Sequence, residues 1–266
     1  MYALNYHRAS SVADAVKLQK KGEDAKYVSG GMTLIPAMKT RLAAPSDLVD
    51  LARIAEMKGI KVSGKTVTIG GGTTHAEVAA DAKLKAVCPA LTYLAGHIGD
   101  PHVRHKGTLG GSVANNDPAA DYPAALVALG ATIITNKREM AAEKFFTGLF
   151  ETALKDGEIV TGVSFTAPAQ AGYEKFRNPA SRYAIVGVFV AKGKDGVRVA
   201  VTGAGDEGVF RAKPMEAALA KSFAPAALDG IAVSPGGLMS DMHASAEYRS
   251  SLITVMAKRA VAKANA

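Results

Sequence analysis

Short segments with apolar residues at helical spacing alternate along this chain with segments in which apolar and polar residues alternate. In residues 11–21, Val12, Ala15 and Val16 fall on one side, and Ser10 or Ser11 can cap a helix there. The same pattern predicts helices at 37–42, 74–81, 90–95, 124–129, 215–221 and 248–262. Strands are predicted at 25–28, 48–51, 60–62, 66–69, 131–134, 173–176, 184–191 and 197–202. This mixture of short elements predicts an α+β fold.

The order of the elements predicts two domains. The first would span residues 1–166, with subdomains of about 1–55 and 56–166, and a boundary is expected near 166–170. The second, 170–266, would be a small α+β domain with an antiparallel sheet. Between His97 and Pro123 the chain is polar and rich in glycine, and the pattern predicts no regular structure there. A loop of this length in a compact domain usually binds a ligand.

Composition narrows the possible functions. The chain has 266 residues, a net charge of +8 and one cysteine, Cys88, which excludes an internal disulfide and a cysteine-ligated iron–sulfur cluster on this chain. Its apolar context predicts a buried thiol. Basic residues are scattered and aromatics make up 6%, so no nucleic-acid surface is predicted. The absence of a long apolar run predicts no membrane span, and the first residues lack a signal-peptide pattern, so we expect a cytoplasmic location.

Two glycine loops carry the clearest chemical signal. Residues 29–33 read SGGMT and follow a predicted strand, whereas residues 108–112 read TLGGS and lie within the polar stretch. Paired glycines allow tight turns that bring successive N–H groups against an anion, and hydroxyl side chains add donors. Paired glycines are more often simple turns, but two such loops in one domain could hold a pyrophosphate from both sides.

Other candidates are explained better without a ligand. Asp117 is typical of an Asx turn before Pro118, and Thr74 of a helix cap. The histidines at 97, 102 and 105 match no defined metal spacing, so no metal site is predicted. The glycine spacing of residues 203–208 matches the dinucleotide-binding fingerprint. That motif also requires an uninterrupted helix after the glycines and an acidic residue at the end of the next strand, and neither is predicted here. We therefore interpret residues 203–208 as a hairpin loop.

Segments 29–41 and 107–123 resemble the two FAD loops of the molybdenum hydroxylase flavoproteins. This family includes the medium subunit of aerobic carbon monoxide dehydrogenase and the flavin domain of xanthine dehydrogenase. Segments 4–8, 69–74 and 240–249 extend the resemblance over almost the whole chain. It implies a bipartite FAD-binding domain of the vanillyl-alcohol-oxidase (PCMH) type, followed by the smaller C-terminal domain. Met32 stands where many family members have a polar residue, and Ser112 stands where many have asparagine.

The resemblance also implies a set of FAD contacts. The first loop would wrap the pyrophosphate through Val28, Ser29, Gly30, Gly31, Met32, Thr33, Leu34 and Ile35. The second wall would consist of Gly99, Thr108, Leu109, Gly110, Gly111 and Ser112. Asp121 would hold a ribose hydroxyl or an adenine-side group, and Val160 would lie against the flavin or the adenine. Lys175, with Arg177 as the alternative, would approach the flavin ring, and Tyr183 could stack near it.

The implied function is electron transfer. A molybdenum subunit would oxidise the substrate, an iron–sulfur subunit carrying 2Fe-2S clusters would relay electrons, and FAD on this chain would reduce an external acceptor. The usual assembly is a heterotrimer repeated twice, and no residue here need be catalytic. Two alternatives stay open at this point. One is a stand-alone FAD-dependent oxidoreductase of the same fold, for which a C-terminal domain of roughly 100 residues is small. The other is a nucleotide-binding module without redox activity.

Overall fold

The structure is a computed structural model that describes all residues, 1–266. Its strands are β1 (Asn5–Arg8), β2 (Ala25–Val28), β3 (Asp47–Asp50), β4 (Ile60–Ser63), β5 (Thr66–Gly70), β6 (Thr132–Thr135), β7 (Glu139–Ala141), β8 (Phe146–Gly148), β9 (Glu151–Thr152), β10 (Val160–Thr166), β11 (Gln170–Arg177), β12 (Ala184–Gly193), β13 (Gly196–Thr202) and β14 (Phe210–Arg211). Its helices are α1 (Val12–Gln19), α2 (Leu34–Lys39), α3 (His75–Ala80), α4 (Ala82–Val87), α5 (Pro89–Gly96), α6 (Pro101–Lys106), α7 (Leu109–Asn115), α8 (Tyr122–Ala128), α9 (Ala142–Phe145), α10 (Lys213–Lys221) and α11 (Ala246–Ala264). No helix is both long and apolar enough to cross a membrane.

The strands form three principal sheets. The first is parallel, in the order β1-β3-β2. The second is antiparallel, in the order β4-β5-β10-β6-β7, and the third, also antiparallel, runs β11-β12-β13-β14. Strands β8 and β9 form a separate two-stranded ribbon. Sheets and helices occur throughout the chain, so the predicted α+β class is confirmed, as is the antiparallel sheet near the C-terminus.

The third sheet is covered on both faces. Tyr173, Phe189 and Ala200 face a core that continues into α5, α8 and the second sheet. Val188 and Val201 face the opposite way and pack beneath α10 and α11. Because β12 is buried on both sides, its sequence is an unbroken apolar run rather than an alternating one.

The interpretation of residues 97–123 as a structureless stretch is wrong. It contains α6, α7 and the start of α8. Asp100 accepts from the Val103 N–H at 2.9 Å, and Thr108 accepts from the Gly111 N–H at 3.2 Å, so each short helix begins at a side-chain cap. The glycines hid this pattern because they lower helix propensity without preventing a helix that is packed in the core.

Two other elements differ from the prediction. Helix α2 begins at Leu34 rather than at 37, because Pro36 lies in its first turn, where a missing N–H costs nothing. Helix α4 was not predicted; Asp81 caps it by accepting from the Leu84 N–H at 2.7 Å. The predicted cap of α1 by Ser11 and the hairpin of β4 and β5 are confirmed.

Candidate functional site

A cavity of about 480 Å³ opens between the first and second sheets. One wall is the loop between β2 and α2. The opposite wall comes from the start of α7 and the segment that joins α7 to α8, and the first residues of β10 close one end. Parts of the chain that are far apart in sequence therefore meet around one space, and both glycine loops border it.

The first glycine loop offers a row of backbone donors to this cavity. All residues from Ser29 to Leu34 line it, and none of their N–H groups donates to another backbone group of the protein. Gly31 adopts a φ of +69°, in the left-handed region that glycine tolerates, which turns the loop. Successive free amides in such a turn form an anion-binding concavity.

The two glycine loops touch each other. The Thr108 hydroxyl donates to Ser29 Oγ at 3.0 Å, and a Cβ added at Gly30 would lie 2.1 Å from the Lys106 carbonyl oxygen. Any side chain larger than hydrogen at position 30 would therefore force the loops apart. The prediction that the two segments lie together is confirmed.

The second loop differs from the prediction in its chemistry. The N–H of Leu109 donates to the Thr73 carbonyl at 3.0 Å, and that of Gly110 donates to the Gly71 carbonyl at 2.8 Å. Those of Gly111 and Ser112 both donate to Thr108, to its hydroxyl at 3.2 Å and its carbonyl at 3.0 Å. These amides are engaged within the protein, so the prediction that backbone N–H groups of both loops hold a pyrophosphate is wrong for residues 109–112. The second loop supplies hydroxyl groups and close backbone packing, because its amides hold α7 against the Gly71 turn.

Most of the residues implied by the resemblance line the cavity. They are Val28, Ser29, Gly30, Gly31, Met32, Thr33, Leu34, Thr108, Gly110, Gly111, Ser112, Asp121, Val160 and Tyr183. Ile35, Gly99, Leu109 and Lys175 do not. The Ile35 side chain packs beneath Gly31, Leu109 is fully buried, and the Gly99 carbonyl accepts from two arginines. These three support the wall from behind.

Asp121 sits at the centre of a buried polar network. Lys175 Nζ lies 2.9 Å from its carboxylate, both side chains are 4% exposed, and the Tyr173 hydroxyl donates to the same carboxylate. Burial raises the pKa of Asp121, and the Lys175 ammonium opposes that rise. The structure thus places Lys175 behind Asp121 rather than on the cavity wall, because a buried carboxylate needs a charged partner. Its alternative, Arg177, is exposed at the end of β11 and does not line the cavity either.

Several residues that line the cavity are not among the FAD contacts that the resemblance implies. The most informative are Tyr27 and His75, whose Oη and Nδ1 atoms are buried and have no hydrogen-bond partner in the protein. Burial raises the pKa of Tyr27 to about 12 and lowers that of His75 to about 4, so both side chains are neutral near pH 7. Gly71 was also missed, although the three consecutive glycines at 70–72 were a signal that the backbone passes close to another segment.

Glu158 lines the cavity, as Val160 does, but its carboxylate is hydrogen-bonded within the protein. Arg138 Nε donates to it at 2.9 Å and the Thr135 hydroxyl at 2.7 Å. The Arg138 hydrogen bond, followed by those from the Lys155 N–H and Thr135, lowers the pKa of Glu158 to about 2 against the opposing effect of burial. It is therefore an ionised anchor for the turn before β10.

The remaining candidates follow the simpler interpretations. Asp117 accepts from the Ala119 N–H at 2.9 Å, which is the predicted Asx turn, and Thr74 caps α3 together with Glu77. Cys88 is free and buried, and burial raises the pKa of its thiol to about 12. No three histidine, cysteine or acidic side chains converge into a possible metal site. Residues 203–208 join two antiparallel strands, β13 and β14, as predicted.

The site fits a dinucleotide with a diphosphate. Six residues whose amides have no protein partner line the cavity, and at Gly30 there is room only for backbone. Apolar residues, among them Leu51, Ile159 and Val160, also line it and can pack against a planar ring. The buried, unpartnered polar atoms of Tyr27 and His75 can each form a hydrogen bond. A phosphate-free apolar ligand would leave all of these groups unsatisfied.

Comparisons with known proteins agree with this geometry. Residues 2–168 match the family described as the FAD binding domain in molybdopterin dehydrogenase. The carbon monoxide dehydrogenase medium chain of Afipia carboxidovorans is 36% identical, over 99% of this chain and 97% of that protein. The nicotine 6-hydroxylase medium subunit of Paenarthrobacter nicotinovorans is 30% identical, over 99% and 98%.

A solved structure extends the likeness to the whole fold. The reconstituted CO dehydrogenase from Oligotropha carboxidovorans contains a chain that superposes with a TM-score of 0.88 at 33% identity, covering 99% of this chain and 98% of that one. The match spans the parallel sheet, the cavity and the C-terminal sheet alike. FAD is accordingly the cofactor of this chain, which belongs to the family of FAD-binding domains in molybdopterin dehydrogenases.

Proposed function

We propose that this chain is the electron-transfer subunit of a molybdenum hydroxylase, which takes electrons from a partner iron–sulfur subunit through FAD to an external acceptor. The observation that carries the proposal is the row of six unpartnered amides from Ser29 to Leu34, facing a cavity bordered by the second glycine loop. Support for an assembly comes from the relatives, which are themselves named as a medium chain and a medium subunit.

In this proposal the chain's own residues bind and orient the cofactor. The amides of the first loop would hold the diphosphate, with the hydroxyls of Thr108 and Ser112 on the opposite side. Asp121, fixed by Tyr173 and Lys175, presents a carboxylate oxygen to a ligand hydroxyl. When bound, FAD would supply the redox chemistry, since a flavin can exchange electrons both singly and in pairs. The chain needs no nucleophile and no general base of its own.

The proposal includes two kinds of partner. A small subunit would carry 2Fe-2S clusters, which this chain with its one buried cysteine cannot ligate, and a large subunit would carry the molybdenum cofactor. The proposal includes a heterotrimer repeated twice and a cytoplasmic location. It also includes a division into an FAD-binding part, residues 1–166, with subdomains of about 1–55 and 56–166, and a C-terminal part, residues 170–266.

Purification of the native complex through a tag on this chain tests the proposal. We expect a flavin absorbance band at about 450 nm, together with a cysteine-rich chain that carries iron and a larger chain that carries molybdenum. A colourless preparation with no affinity for FAD would contradict cofactor binding. Turnover of an organic substrate by the isolated, FAD-loaded chain would instead identify a stand-alone oxidoreductase.

A further inference from the structure

Two arginines meet beside the cavity without a carboxylate partner. Arg104 of α6 donates from Nη1 to the carbonyls of Ile98 and Gly99, at 2.9 and 3.0 Å. Arg182, in the loop between β11 and β12, donates from Nη1 to the same Gly99 carbonyl at 3.3 Å. Because both groups bind one oxygen, two positive charges are held close together. Neither forms a salt bridge; the acid on this segment, Asp100, caps α6, and after that cap the positive charge of Arg182 helps to lower the pKa of Asp100, so one carboxylate faces two guanidinium groups.

The backbone of Arg182 is held in an unfavourable conformation. Its φ is +64°, a left-handed value that residues with a Cβ adopt rarely and that persists only where the surroundings impose it. Lys175 Nζ donates to the Arg182 carbonyl at 2.8 Å, and the Arg182 N–H donates to the Asn178 carbonyl at 2.9 Å. Lys175 is in turn bound to Asp121, which lines the cavity. The position of this guanidinium is therefore set by a network that begins at the cofactor site.

The arginine pair lies beside the cavity. Ile98 and Val103, which flank Arg104 on its segment, line the cavity, and so does Tyr183, which follows Arg182. Tyr183 is 44% exposed. Arg182 is exposed beside it and Arg104 is half-buried, so an anion that reaches the cavity next to Tyr183 comes close to positive charge.

We propose that Arg104 and Arg182 form the docking site of the external electron acceptor, and that this acceptor is an anion. The inference rests on the proposed electron-transfer function and adds the chemical class of the acceptor. Each guanidinium has five N–H donors in a planar fork that matches phosphate and carboxylate groups, and the Gly99 and Ile98 carbonyls occupy only Nη1. The net charge of +8 adds long-range attraction for an anion.

Reoxidation of the reduced, FAD-loaded full-length chain tests this site with two probes of different charge. Two ferricyanide anions take one electron each from the reduced flavin and two protons are released, whereas one neutral benzoquinone takes both electrons and both protons. In the double variant Arg104→Gln/Arg182→Gln we expect the second-order rate with ferricyanide to fall about tenfold or more, with a shallower dependence on salt. The rate with benzoquinone should change less than about twofold, since its approach is not steered by charge.

Two further variants keep the test decisive. Arg259→Gln removes an exposed arginine from α11, on the far side of the third sheet, and should leave both rates unchanged. Arg104→Lys/Arg182→Lys keeps the charge and should restore most of the ferricyanide rate. Calorimetric titration with inorganic pyrophosphate should show binding to the oxidised FAD-loaded chain that the glutamine double variant weakens.

The outcomes separate this inference from the function on which it rests. Equal losses with both acceptors, or none with ferricyanide, would overturn the anion site. Loss of FAD from the double variant would overturn it too, since the arginines would then serve the cofactor. If the wild-type chain itself fails to bind FAD or to be reoxidised by either probe, it is the proposed function that fails.

Discussion

At the residue scale, His75 shows how burial decides chemistry next to the cofactor site. It begins α3, donates its backbone N–H to the Gly107 carbonyl at 2.9 Å, and lies with its ring centroid 5.4 Å from that of Tyr122. Burial, and after it the positive charge of Arg104, lowers its pKa to about 4. The imidazole is therefore a neutral group behind the glycine loops, available for hydrogen bonding rather than for charge.

This pKa predicts a pH-dependent stability. The folded pKa of about 4 lies below the unfolded value of about 6.5, so the unfolded chain takes up the proton first as pH falls. We therefore expect the free energy of unfolding to fall by about 3 kcal/mol as pH falls from 6.5 to 4, because His75 is protonated more readily in the unfolded chain. Urea unfolding of the FAD-free chain across this range measures it, and His75→Asn should flatten the slope. His102→Asn is the control, because the His102 side chain is 96% exposed and its replacement should leave the slope unchanged. Identical slopes for His75→Asn and the wild type would contradict the prediction.

At the element scale, the loop between β2 and α2 depends on glycine in two different ways. Gly31 provides the left-handed turn, and Gly30 allows the backbone to pass against the segment before α7. Between β2 and α2 the two glycines interrupt regular structure. The amides of this loop therefore have no strand or helix partner to which they can donate. Helix α2 then begins with unsatisfied donors, as all helices do.

Gly30→Ala should abolish most of the FAD affinity. The new Cβ would lie 2.1 Å from the Lys106 carbonyl oxygen, so the loop must move and its amides lose their common direction. We expect the dissociation constant for FAD to rise about tenfold or more, with a loss of about 1–3 kcal/mol in stability from overpacking. Quenching of FAD fluorescence on titration measures the affinity. Gly193→Ala, where a Cβ meets open space, is the matched control, and equal affinity in the two variants would show that the close approach is unimportant.

At the scale of the whole molecule, the C-terminal sheet completes the cofactor site. The Thr202 hydroxyl donates to the Ala120 carbonyl at 2.7 Å, and the Gly203 N–H donates to the Pro118 carbonyl at 2.9 Å. Together with Tyr173 and Lys175, these bonds hold the wall segment that carries Asp117 and Asp121. One hydrophobic core also runs across the predicted boundary near 166–170.

Removal of residues 169–266 should therefore do more than delete a domain. It would expose the core face that Tyr173, Phe189, Ala191 and Ala200 now cover. We expect the truncated chain to bind a hydrophobic dye and to lose cooperative unfolding by circular dichroism, whereas the full chain unfolds in a single transition. Thr202→Val removes the donor to the Ala120 carbonyl, so we expect weaker FAD binding and a loss of about 1–3 kcal/mol in stability, with unfolding still cooperative. A truncated chain that unfolds cooperatively and binds FAD normally would contradict this view.

Most of the elements and the positions of the two glycine loops could be predicted from the sequence alone. Short-range patterns predicted most helices and strands, because apolar spacing and caps such as Ser11 act within a few residues. The glycine loops at 29–33 and 108–112 could be recognised because tight turns and close backbone contacts favour glycine, which has no Cβ. Helices α6 and α7 escaped prediction, since their stability comes from packing and caps rather than from propensity.

Only the tertiary structure decided which polar groups are free. The N–H groups of Ser29 to Leu34 have no hydrogen-bond partner in the protein, whereas those of Leu109 to Ser112 donate to other protein groups. No local sequence pattern distinguishes the two loops in this respect. Likewise Lys175 turns towards Asp121, and Arg104 meets Arg182, across separations of tens of residues. Hydrogen bonding and charge pairing are settled by proximity in space, and proximity between distant segments exists only once the sheets and the core have formed.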